Sequence, residues 1–128
     1  MCQKYKIVTD YAVIPRIASL FAGGIGNTGS VCGAVIGAEM AIGLKQKRAR
    51  TMKKMFSNLA VAAELRNRFE AEMETINCRE LTGADLTTDK GIKKFMASDI
   101  PQKVCYPAVE TAYRLAVDLI EETSTVSK

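Results

Sequence analysis

Ala22-Gly23-Gly24-Ile25-Gly26-Asn27-Thr28-Gly29-Ser30, running into Val31-Cys32-Gly33-Ala34-Val35-Ile36-Gly37-Ala38-Glu39-Met40-Ala41-Ile42-Gly43-Leu44, is the stretch on which the fold turns. Its first part holds more glycine than a helix or strand interior tolerates, so it reads as a loop. The second part is apolar on several faces at once, which predicts a central helix enclosed by others. Gly33 and Gly37 are one turn apart, as are Ala34 and Ala38, and small side chains at that spacing let a neighbouring helix or a bound group approach the backbone. The segment carries Glu39 and is too short to span a bilayer, so no membrane partner is expected.

Outward from this stretch the apolar residues keep helical spacing. Val109, Ala112, Tyr113, Ala116, Leu119 and Ile120 make one helix face over about 107–122, with Pro107 where a first helical residue belongs. Met52, Phe56, Leu59, Ala63, Phe69, Met73 and Ile76 form a stripe along 49–76, which is free of Gly and Pro and predicts the longest helix. Pro15 with Ile17, Leu20 and Phe21 predicts a short helix ending at the glycines, and Ile92, Phe95 and Met96 after Asp89 predict another. The expectation is an all-α fold: one domain, 1–128, a compact bundle of about five helices with a Gly-rich loop before the central one.

Composition narrows the function. At 128 residues the chain can bury a real core without disulfide staples. It has no His, which removes Ser-His-Asp and Cys-His nucleophile pairs, histidine haem ligation and histidine zinc sites. With no Trp and 6% aromatic residues it lacks stacking platforms, and a net charge of +4 is too mild to imply nucleic acid, so no nucleic-acid partner is expected. The N-terminus is not laid out as a signal peptide, so the expected location is cytoplasmic, where cysteines serve as ligands, catalysts or inert apolar residues rather than in disulfides.

Ser30 is placed to cap the central helix, which would put Cys32 in its first turn. Cys78 follows Asn77 in Asn77-Cys78-Arg79-Glu80, close to a capping box. Cys105 precedes Tyr106-Pro107 and the last helix. All three thus read as lying at helix N-termini, where free amides and the dipole favour thiolate, and Arg79 and Lys103 add positive charge. No CxxC pair is present, which argues against a zinc ribbon and a thioredoxin-type site, although ligands from distant helix ends can still converge. The alternative is that these are small buried apolar residues of a helical protein-interaction module, a homodimer joined through an apolar helix face.

Phe21-Ala22-Gly23-Gly24-Ile25-Gly26, then Val31 to Ala38 through Gly43-Leu44, then Asn77-Cys78-Arg79-Glu80-Leu81, then Cys105 before an amphipathic helix, resembles the C-GCAxxG-C-C family of redox-active proteins, itself similar to the non-haem part of split-Soret cytochrome c. The resemblance runs from about Ile14 to Glu121. It implies an oxidoreductase or electron carrier in which Cys32, Cys78 and Cys105 bind an iron–sulfur cluster or carry out thiol–disulfide electron transfer with a redox partner protein. Two departures stand out: the motif reads Cys32-Gly33-Ala34 where the family has Gly-Cys-Ala, and the family's first cysteine lies farther upstream than Cys2, so an N-terminal helix of the family is expected to be lacking.

Gly24, Gly26 and Gly29 also match GxGxxG, with Gly33 behind them, and an anion or nucleotide binder is the third expectation, tempered by the absence of a preceding strand and of a following acidic residue. In the redox reading the same four glycines bring backbone amides to a thiolate or cluster sulfur. Lys45, Lys47, Arg48, Arg50, Lys53 and Lys54 put a basic run at the start of the long helix, the unfavourable end of its dipole, while Glu70, Glu72 and Glu74 crowd the other end. Such a run reads as a solvated face or as a surface for an acidic partner.

Overall fold

A computed structural model describes residues 3–7 and 10–126; Cys2 lies outside them. The chain runs α1 (Val13–Ala18), a 3-10 turn (Ser19–Phe21), the single turn α2 (Ala22–Ile25), α3 (Gly33–Lys45), α4 (Met52–Met73), α5 (Cys78–Thr82), α6 (Asp89–Ala97), a π-turn (Pro101–Cys105) and α7 (Tyr106–Val126). The fold is all-α, and the only pairing of extended backbone among the described residues is one isolated antiparallel bridge, Val31 with Asn77.

Local chemistry sets the boundaries. Thr51 caps α4 by accepting from the Lys54 amide at 3.1 Å, and Thr88 caps α6 by accepting from the Gly91 amide at 3.0 Å. Helix α4 ends where Glu74 turns left-handed at φ 73°. The sequence places Pro107 at the first position of the last helix, but the helical run begins at Pro101, one turn earlier. Pro107 has no amide to donate and its ring crowds the carbonyl four residues back, so the preceding turn widens, with Tyr106 N–H donating to the Pro101 carbonyl.

Three long helices enclose the core. Val35, Ala38 and Ile42 of α3 and Leu65 and Phe69 of α4 pack on Ala108, Ala112, Leu115, Ala116, Leu119 and Ile120 of α7. The alanines of α7 let α3 lie close, and each large side chain in the contact contributes about 1.5–3 kcal/mol through burial. Close approach to α3 occurs at Ala38 and Gly33; Gly37 and Gly43 face open space, contrary to the expectation for Gly37.

The stripe expected along α4 splits in two. Leu65 and Phe69 are buried, with Val61, Met73 and Ile76 packed beside them, whereas Met52, Phe56 and Leu59 are 67%, 62% and 53% exposed and Ala63 is exposed as well. At roughly 100° per residue, Phe56 and Phe69 cannot share a face, and the heavier C-terminal half decides which side turns inward. Arg68 ties this half to α7 by donating to both carboxylate oxygens of Glu122, at 2.9 and 3.0 Å, and it also bonds Glu64 at 2.8 Å.

Candidate functional site

The glycine loop folds around the segment that carries Cys78. Gly23, Gly24, Gly26 and Gly29 all have positive φ, between 62° and 74°. A Cβ on Gly24 would lie 2.7 Å from the Cys78 Cβ and 2.5 Å from the Ser30 nitrogen, and one on Gly29 would lie 2.9 Å from the Arg79 Cβ. These positions need glycine twice over, for the left-handed backbone and for the room. Gly33 is pressed in the same way against the Phe21 carbonyl oxygen, 3.1 Å from its virtual Cβ, while Gly26 faces open space.

The loop then pairs with the chain entering α5. Cys32 N–H donates to Ile76 O and Cys78 N–H to Ser30 O, both at 2.7 Å, and Arg79 N–H reaches Gly29 O at 3.1 Å. These bonds flank the Val31–Asn77 bridge, so alternation puts Cys32 and Cys78 together on the side of it away from Val31 and Asn77. They are diagonal neighbours, a relation that separates Cα atoms by roughly 7–8 Å, just beyond the roughly 4.4–6.8 Å usual for a disulfide. The third thiol arrives from the π-turn. Cys105 lies close enough for the charges of Cys78 and Cys32 to act on it, as Cys32 acts on Cys78. The π-turn packs against α5, so the three cysteines singled out in the sequence lie in one neighbourhood, all as free thiols.

Their settings differ from the expected ones. Cys32 is itself the N-cap of α3, which starts two residues later than a Ser30 cap implies. Cys78 opens α5, but the Asn77 side chain makes no backbone cap; its amide donates to Glu80 Oε1 at 3.0 Å instead. Cys105 is not at a helix N-terminus, because the π-turn before it continues straight into α7. Burial raises the Cys78 pKa, with help from the Cys32 charge and against the neighbouring Thr82 hydroxyl, whose proton goes to the Cys78 carbonyl at 2.8 Å, and burial followed by the charges of Cys78 and Cys32 raises that of Cys105. Thiolate is thus disfavoured at both, opposite to the helix-dipole expectation. Arg79 and Lys103 do not reverse this, being held by Asp85 at 3.1 Å and Asp99 at 2.7 Å.

The loop amides bear on the phosphate reading. Gly26, Asn27, Thr28, Gly29 and Ser30 donate to Leu20, Ala22, Ile25, Gly23 and Gly24 carbonyls at 2.9–3.3 Å, so this run is spent within the loop. A phosphate cradle needs those donors free. Nor do the thiols fit a metal as they stand: among the described residues no group of three His, Cys, Asp or Glu side chains is arranged to hold a metal ion. Thr82, one turn after Cys78, donates its hydroxyl to the Cys78 carbonyl at 2.8 Å, a neighbour that the i, i+4 spacing in the sequence allows.

A family model described as "Putative redox-active protein (C_GCAxxG_C_C)" matches residues 1–119, so the match begins upstream of the resemblance read from the motifs. No curated protein and no solved structure matches the chain. Among the described residues no helix is long and apolar enough to cross a membrane.

Proposed function

The chain belongs to the C_GCAxxG_C_C family of redox-active proteins, and from that membership we propose that it is a thiol–disulfide electron-transfer protein whose working pair is Cys32 and Cys78. The observation that carries this reading is the bridge between Val31 and Asn77, which holds the two cysteines as diagonal neighbours on one side of the paired segments. Cys32 is the accessible member and Cys78 the buried one. The Cys32 sulfur attacks an exposed disulfide of a partner protein and forms a mixed disulfide, releasing the first partner thiolate. Cys78 then attacks the Cys32 sulfur, closing the Cys32–Cys78 bond and releasing the second. One disulfide is made and one broken, two electrons pass to the partner, and the two protons lost by Cys32 and Cys78 end on the partner's thiols. Closure needs only a small backbone shift, which a single isolated bridge and an N-cap residue can accommodate. Cys105 stands within electrostatic reach as a third thiol.

The test is equilibration of the anaerobically purified chain with mixtures of reduced and oxidised glutathione, followed by alkylation and peptide mapping, with iron, acid-labile sulfide and zinc measured on the same sample. A reversible disulfide mapping to Cys32 and Cys78, absent from Cys32→Ser, is the expected result. Thiols that stay free throughout, or stoichiometric iron and sulfide lost in Cys32→Ser, would overturn the dithiol reading, the second in favour of a cluster.

A further inference from the structure

The face of α4 that turns away from the core carries Met52, Phe56, Leu59, Ala60 and Ala63, all exposed, with Met55 at its edge. Large side chains, ending with Leu59, occupy the N-terminal part of this face and the alanines Ala60 and Ala63 its C-terminal end. Such a face is complementary to itself when reversed. Around a two-fold axis between Ser57 and Asn58, Met52 falls over Ala63 of the second copy, Met55 near its Ala60, and Phe56 against its Leu59.

The charges have the same symmetry. The acids at the C-terminal end of α4 are answered within the chain, Glu70 by Arg66 at 2.8 Å and Glu72 by Arg114. At the N-terminal end, none of the described ion pairs includes Lys47, Arg48, Arg50, Lys53 or Lys54, although these sit against the dipole of α4. Lys45, by contrast, lies over the Tyr5 ring at 5.3 Å. On the helical wheel Lys53 and Glu64 flank the apolar face on the same side, about 20° apart. An antiparallel two-fold pair brings equal flanks together, so Lys53 of each copy meets Glu64 of the other; Glu64 is held by Arg68 at 2.8 Å but shares that guanidinium with Glu122, so a second cation is still favoured beside it, and the two opposed helix dipoles also attract.

We propose that the exposed apolar face of α4 is a homodimer interface, in which two copies pack α4 against α4 antiparallel, Met52 and Met55 on alanines, Phe56 on Leu59 and Lys53 on Glu64. Both the apolar order and the unanswered lysines favour a second copy of this chain over an unrelated partner, because each half of the face supplies what the other half lacks.

The experiment is sedimentation velocity of the full chain, kept reduced so that intermolecular disulfides do not contribute, over a dilution series. The expected species has twice the 13.9 kDa chain mass. Phe56→Glu should weaken it about tenfold or more, with helical circular dichroism retained because the residue is exposed. Lys53→Glu should weaken it too, and the double variant Lys53→Glu with Glu64→Lys should restore it. A monomer throughout the series, a dimer indifferent to Phe56→Glu, or a double reversal that fails to restore association would each overturn the proposal.

Discussion

Glu39 sits in the middle of α3, half-buried, and is the sharpest available test of how that helix is enclosed. Burial alone raises its pKa from the ordinary 4.5 to about 7. The folded chain therefore keeps the Glu39 proton to near pH 7, whereas the unfolded chain releases it near 4.5. Between those values the folded state binds more protons, so stability falls as the pH rises through the window and stays low above it. The unscreened difference corresponds to about 3 kcal/mol, and the solvent that still reaches the group reduces this to about 1–2 kcal/mol. Glu39→Gln removes the charge at almost constant volume. It should leave stability nearly unchanged at pH 4.5 and raise it by about 1–2 kcal/mol at pH 8, within that same estimate. Urea unfolding of the two proteins across this range measures the effect, which is separable because Glu80, Asp85 and Glu122, held below the carboxylate range by their hydrogen bonds, act at lower pH. An equal difference at both ends of the range, or a less stable variant at pH 8, would refute the assignment of the effect to desolvation.

Gly24→Ala and Gly26→Ala share a left-handed backbone but differ in room, so thermal unfolding should separate them: about 1–2 kcal/mol for the open Gly26 site from backbone strain alone, and about 2–5 kcal/mol at Gly24, where the new methyl meets Cys78 and Ser30. Phe69→Ala, which empties a fully buried site between α4 and α7, should cost about 3–5 kcal/mol in chemical denaturation. Alkylation of the native reduced protein should label Cys32 and Cys105 ahead of Cys78, with the order disappearing in denaturant; equal native rates would contradict the burial of Cys78 beneath Gly24.

The helices were legible because apolar spacing reports them directly: α3, α6 and α7 lie near where period and caps put them, and α4 needed only trimming to the Thr51 cap and the Glu74 turn. Which face of α4 turns inward was not legible. Two apolar half-stripes that drift around one long helix look like a single stripe until a partner helix selects between them. The grouping of Cys32, Cys78 and Cys105 was legible only through the resemblance of the motifs to a family and not through spacing, since nothing in the sequence announces that Cys32 N–H will meet Ile76 O or that Gly24 will lie on Cys78. The dipole argument for thiolate left out burial, the larger effect at Cys78 and Cys105, and at Cys105 it also assumed a helix start that the π-turn removes.

The two proposals occupy opposite ends of α4, and this makes them separable. The helix runs from Met52 to Met73, about 33 Å at 1.5 Å per residue, and the thiols gather beyond its C-terminal end, where the chain passes through Ile76 into Cys78. The apolar face is centred near Ser57, roughly 20 Å back along the helix. An antiparallel pair built on that centre points the two thiol sites away from each other, so each stays open to its own partner and neither shares a residue with the interface. Dimer and redox chemistry should then be uncoupled. Phe56→Glu should leave the glutathione equilibrium of the Cys32–Cys78 pair unchanged within error, and Cys32→Ser should leave the sedimentation profile unchanged. A shift in redox poise on dissociation would mean that the second copy reaches the thiols after all, and an antiparallel α4 pair cannot provide that contact.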